Sequence, residues 1–199
     1  TINYQNRAMR TERVRVQGEY PQNGGGGQPL IGEATQNQVV VVGPNTNWNQ
    51  QLEFILTPHG FLKAAAAANP PATVSTQTSG GKKYQVVTFI GVNKAKINGY
   101  INDENLVEKV ETWIDNNILG DMLWDASFSQ YANFGGVMFP RRTIQRQGGW
   151  TVLDWMAMDV KPNAPAAIQA PAQAAAGGGP QATPPATSRE LGPGVWLVL

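Results

Sequence analysis

A single histidine, His59, carries all the imidazole chemistry open to this chain, and no cysteine accompanies it. A zinc site with two or three histidine ligands is therefore excluded within one copy, as are thiolate nucleophiles, disulfides and cysteine-held clusters. A Ser-His pair would have to use His59 alone. That residue opens a helical segment beside Gly60, where a packing or surface histidine is a better account than a metal ligand. The acidic residues Asp103, Glu104, Glu108, Glu111, Asp115, Asp121 and Asp125 are dense enough to suggest a cation site. Strand alternation places Glu108 and Glu111 on opposite faces, and Asp103-Glu104 reads as a hairpin tip, so solvated charge is the expected outcome.

The paired arginines Arg141 and Arg142 are adjacent in an alternating stretch. They must point to opposite faces, which excludes a double-arginine clamp on one anion. Arg142 and Arg146 share a face and form a candidate anion patch or a charged strand edge. The run Gly24 to Gly27 lacks the Gly-Lys-Ser/Thr ending of a phosphate loop and has no helix start after it, so it reads as an irregular loop. Aromatic residues give a stronger signal. Trp113, Trp124, Phe128, Trp150, Trp155 and Met156 lie on candidate strands and form a candidate apolar groove or interface. In the last of these strands alternation sends Trp150, Val152, Met156 and Met158 one way and Leu153 and Trp155 the other, so both faces expect cover.

These residues need a scaffold, and the periodicity supplies one. Thr57-Pro58 is a helix start with a capping hydroxyl and a proline at the first position, and Asn69-Pro70-Pro71 ends the segment. A helix is predicted near 58–68, with another turn or two before Thr57. Alternating segments follow at Lys83–Ile90, Lys94–Ile101, Leu106–Ile114, Met122–Tyr131, Val137–Gln147 and Trp150–Val160, separated by Gly, Asn and Asp turn signals. Links this short imply antiparallel neighbours. Upstream, Glu12–Val16 alternates, residues 21–29 form a loop, and Val39–Val42 reads as a strand buried on both faces. Pro140 argues that its strand is an edge or carries a bulge.

The expected fold is α+β, mainly β: a strongly curved antiparallel sheet, an open half-barrel like that of lipoprotein carriers, packed on one or two helices. Residues 1–163 form this domain, 164–190 an Ala/Pro/Gly-rich linker, and 191–199 an apolar strand that starts a following domain or pairs with a sheet edge. In the second case Val195, Trp196, Leu197, Val198 and Leu199 are the pairing residues. Fifteen Lys and Arg against fourteen Asp and Glu leave no field to draw nucleic acid. No apolar run reaches the roughly 20 residues of a membrane span.

The motifs GEYPQNGGGGQP, LTPHGFLKAA, GGKKYQVVTF, INGYINDENLVEKVETWIDNNILGDM and FGGVMFPRRTIQRQGGWTVLDWMAMDVKPNAP, in this order and spacing, resemble the N-terminal region of exported bacterial metallo-β-lactamase-fold hydrolases. The resemblance covers nearly all of residues 1–165, and LGPGVWLVL resembles the first strand of that family's metal-binding domain. It implies a periplasmic or extracellular, non-catalytic accessory domain without catalytic or metal residues of its own. Its partner would be a downstream catalytic domain, where the family's HxHxDH zinc ligands lie, or another copy of itself. Zinc would belong to that downstream domain, and no cofactor to this segment. Two other functions stay open: a carrier or binding module for an apolar, lipid-like ligand, and a structural subunit that assembles through its C-terminal strand.

Overall fold

The computed structural model describes residues 1–5, 7–15, 34–41, 48–91, 94–116, 118, 120–165, 168, 188–192 and 195–198. The loop expected at 21–29, Val42, most of the 164–190 linker and Leu199 fall outside them. The chain divides into two compact units, Thr1–Ile168 and Gln169–Leu199.

In the first unit, β1 (Ile2–Asn3), β2 (Ala8–Arg15) and β3 (Ala34–Val41) form a small antiparallel sheet. Two helices follow, α1 (Trp48–Ile55) and α2 (Pro58–Ala66). Thr57 separates them as predicted. Its backbone is extended, its Oγ1 accepts from Gly60 N at 3.1 Å, and the same hydroxyl donates to the Phe54 carbonyl at 2.9 Å. One side chain thus caps the second helix and ties off the first.

Then come β4 (Thr73–Ser79), β5 (Lys82–Ile90), β6 (Lys96–Ile101), β7 (Val107–Asn116), β8 (Gly120–Phe134), β9 (Val137–Gln147) and β10 (Trp150–Met156). They form one seven-stranded antiparallel sheet in chain order, with β4 and β10 as its two edges. The predicted open, mainly β architecture with helices packed on the sheet is what the chain adopts. Strand β4 was not expected. TVSTQTS is exposed throughout and polar but for Val74, so it carries no alternation to detect.

One sheet face packs on the helices. Phe89, Ile97, Val110, Ile114, Trp124, Ala126 and Phe128 meet Leu52, Ile55, Leu56 and Phe61 in a single core. Gly99 makes the close approach feasible, because any β-carbon there would overlap the Phe61 ring. The space between sheet and helices is therefore filled by protein side chains. Phe54 leaves this core and packs instead on Ile2 and Tyr4, linking α1 to β1.

Two β-bulges alter which side chains share a face. Tyr100 pairs with Lys109 but Ile101 with Val107, so Glu108 is an extra residue in β7. Thr151 pairs with Arg146 but Leu153 with Gln145, so Val152 is extra in β10. Strand β9 is interior along most of its length, and Pro140 lies beyond Arg142, the last residue paired with β10. In the second unit, β11 (Ser188–Gly192) and β12 (Val195–Val198) form an antiparallel hairpin.

Candidate functional site

On the sheet face away from the helices, cross-strand register lines up Thr73, Thr88, Asn98, Glu111, Asp125, Arg146 and Thr151, one from each of the seven strands. A row of polar side chains at matched positions can bond along its length, and much of this one does. Thr88 Oγ1 donates to Asn98 Oδ1 at 2.9 Å, and Asn98 Nδ2 donates to Glu111 Oε1 at 3.2 Å. Tyr100 OH donates to the same oxygen at 2.7 Å, while Lys109 Nζ holds the other carboxylate oxygen. Arg146 Nη1 donates to Asp125 Oδ2 at 3.2 Å and to Ser127 Oγ at 3.0 Å. Glu111 and Asp125 are only 7% and 6% exposed, so these bonds replace water that burial removed. Burial alone would raise the Glu111 carboxyl, but Lys109, Tyr100 and Asn98 outweigh it and hold the group below its ordinary range.

The Glu108 bulge builds a second cluster beside the first. Tyr84 OH donates to Glu108 Oε2 at 2.7 Å; Asn102 Nδ2 and Lys82 Nζ approach Oε1 at 2.9 and 3.5 Å. Asn102 also organises the β6–β7 turn, its Oδ1 accepting from Glu104 N and Leu106 N at 3.0 and 2.9 Å. Burial pushes Glu108 up, yet Asn102, Tyr84 and Lys82 bring it net downward. Tyr84 and Tyr100 meet edge to face with centroids 5.9 Å apart, and Lys109 Nζ stands 5.2 Å from the Tyr100 ring centre. Burial, then the Glu111 hydrogen bond and charge, raise the Tyr100 phenol to about 12. The Glu108 hydrogen bond raises Tyr84. Both phenols are neutral donors at neutral pH.

Around these rings lies a cavity of about 570 Å³, lined by Lys82, Tyr84, Tyr100 and Lys109 on the sheet face, by Asn102 and Leu106 at the turn, and by Ser127, Ser129 and Gln130 from β8. Sequence alternation had placed Glu108 and Glu111 on opposite faces as solvated charge. The structure corrects this: the bulge brings both carboxylates to the tyrosine-bearing face, where each is bonded to several donors. The turn residues Asp103 and Glu104 are exposed, as are Asp115 and Asp121. Among the described residues no group of three or more His, Asp or Glu side chains could hold a metal ion.

The six residues of the expected apolar groove are divided. Trp124 and Phe128 belong to the core between sheet and helices. Trp113 is 39% exposed, and Trp150, Trp155 and Met156 are 81%, 37% and 55% exposed on or near edge strand β10. The Val152 bulge also changes their grouping. Trp150, Leu153 and Trp155 pair with Gln147, Gln145 and Thr143 on the helix-bearing side, whereas Met156 pairs with Arg142 on the opposite side. Edge strand β10 therefore shows large apolar groups on both faces.

Arg142 and Arg146 do share a face. Each already has a carboxylate: Arg142 makes a two-pronged pair with Asp154 at 3.2 and 2.9 Å, and Arg146 holds Asp125. Arg141 lies 5.7 Å from the Phe134 ring centre. Val195 to Val198 pair with Ser188 to Gly192 within their own hairpin. His59 stacks on Phe139 at 5.8 Å and tilts against Tyr4 at 5.7 Å, a packing role. Its Nδ1 is buried without a partner, and burial followed by Lys63 lowers its pKa, so the ring is held neutral.

Chemically, the tyrosine face offers neutral donors, saturated carboxylates and compensated cations, an arrangement suited to binding. Carboxylates held below their ordinary range do not serve as general acids at neutral pH. No helix among the described residues is long and apolar enough to cross a membrane. Comparison with family models, with curated proteins and with solved structures finds no match to this chain.

Proposed function

We propose that this chain is a non-catalytic interaction domain, accessory to an exported metallo-β-lactamase-fold hydrolase, and that edge strand β10 is where it docks. The observation that carries the reading is that edge. An edge strand with Trp150, Val152, Trp155 and Met156 exposed offers backbone donors and acceptors that have no second strand within the seven-stranded sheet, together with a large apolar surface. Edges left to water are ordinarily blunted with charge or proline, and β4, TVSTQTS at the other end of the sheet, shows no aromatic side chain. Aromatic residues and methionine are the types enriched where proteins meet. The catalytic domain that the sequence resemblance places downstream, or a second copy, is the partner, and zinc belongs to that downstream part.

The close approach of Phe61 to Gly99 and the side chains packed around it weigh against the alternative of an apolar ligand between helices and sheet. Intact mass and metal analysis of the natural protein test the main reading. A mass well above 21.5 kDa with stoichiometric zinc is expected. A natural chain ending at Leu199 and free of any zinc-bearing partner would refute it.

A further inference from the structure

We infer that the cavity on the tyrosine face is a binding site for an uncharged saccharide, with Tyr84 and Tyr100 as its stacking surfaces. Its size, about 570 Å³, falls within the roughly 300–1,000 Å³ of small-molecule sites. The inference is independent of docking at β10, because the two surfaces share no residue.

Charge excludes the first competitors. The lining carries Lys82 and Lys109 against Glu104 and Glu108, two of each sign. Lys82 is paired with Glu108 and Lys109 with Glu111, so no uncompensated cation is left to draw a phosphate or carboxylate. Glu108 and Glu111 are already surrounded by donors, which leaves Glu104 as a lone exposed carboxylate, too few for a metal cation.

A lipid chain fits less well: Leu106, Phe128, Tyr131 and Met138 would meet it, but Ser129 and Gln130 would lose water to an alkyl chain that offers them no partner. A peptide main chain is recognised most readily at an open strand edge. This cavity instead lies over β5 to β8, whose backbone groups are spent on one another.

What fits is a molecule with many neutral hydroxyls and flat C–H faces. Tyrosine presents an apolar ring to such a face and a hydroxyl at its rim. Ser129 and Gln130 supply both donors and acceptors for hydroxyls. Glu108 and Glu111, fixed by their partners, hold the two phenols in place, so the rings are ordered before a ligand arrives. Preordering of this kind lowers the entropy lost on binding.

The test is saturation-transfer NMR with cellotriose, maltotriose and chitotriose, followed by calorimetric titration of the strongest binder. Transfer from at least one trisaccharide is expected, with amide shift changes confined to the Tyr84, Tyr100, Ser127 and Ser129 neighbourhood in the unmodified protein. Tyr84→Ala and Tyr100→Ala should each weaken Kd by tenfold or more, while Trp150→Ser should leave it unchanged. The shift map needs no variant, so a misfolded Tyr100→Ala protein does not spoil the test. Absence of transfer from all three sugars, shift changes elsewhere, or displacement of the bound sugar by palmitate would each overturn the assignment.

Discussion

Replacing Gly99 by alanine tests whether the space between sheet and helices is filled. Gly99 lies in β6 between Val87 and Val110, under the ring of Phe61. A methyl group there would overlap two ring carbons and stand 2.7 Å from a third, Cε2. Carbon atoms in ordinary contact stand about 3.5–4.0 Å apart, so the ring must retreat by roughly 1.5–2 Å. It has nowhere to go, since Phe61 is fully buried in one cluster with Leu52, Leu56, Ile97 and Val110. Overpacking of this kind costs about 1–3 kcal/mol. At about 2–4 °C per kcal/mol for a domain of this size, the Tm should fall by about 4–8 °C for a loss near the middle of that range. Urea unfolding followed by tryptophan fluorescence measures the loss. Trimming the ring with Phe61→Leu should relieve it, making the double variant more stable than the sum of the single changes predicts. A Gly99→Ala protein within about 0.5 kcal/mol of the original, or strict additivity with Phe61→Leu, would refute the packing and reopen the apolar-groove reading.

Further expectations concern caps, ion pairs and pH. Thr57→Ala removes the cap of α2 and the tie to Phe54 and should cost about 1–2 kcal/mol by urea unfolding. Arg146→Ala leaves Asp125 buried without its guanidinium and should cost about 1–3 kcal/mol, whereas Arg142→Ala, at a pair open to water, should leave the urea midpoint unchanged. Glu108 and Glu111 titrate lower in the folded chain than in the unfolded one. Their contribution is present above the ordinary carboxylate value of about 4.3 and is lost as pH falls through the depressed folded values. His59, also lowered on folding, acts from higher pH, because the unfolded chain takes up its proton below about 6.5 and the folded chain resists. Urea midpoints between pH 8 and pH 3 should therefore fall in two stages, with His59→Phe flattening the upper and Glu111→Gln the lower; a flat profile would contradict both assignments.

Much of the fold was legible because its signals are local. Thr57-Pro58 announced α2, and the glycine and asparagine turns delimited the strands closely enough that Val137–Gln147 matches β9 at both ends. Strand β4 was missed because both its faces are wet and Val74 is its one apolar residue, so no hydrophobic period marks it. The site was less legible for a different reason. A bulge is decided by how a strand meets its partner, and no count along one strand reveals the extra residue. Missing it at Glu108 separated two carboxylates that share a face, and missing it at Val152 grouped Trp150 with Met156 across the sheet. Asn102 did carry a signal, in the Asn-Asp-Glu-Asn turn, but its second role as a donor to Glu108 depends on the fold.

The claim that β10 is a docking edge has one direct test, hydrogen–deuterium exchange on the natural protein, with β4 as its internal control. Amides of both edge strands that face away from the sheet lack a partner within the seven-stranded ladder. If β10 docks, its outward amides exchange slowly while those of β4 exchange at the rate of open chain, and Trp150→Ser with Trp155→Ser restores fast exchange at β10. Equally fast exchange at both edges in the natural protein would contradict it.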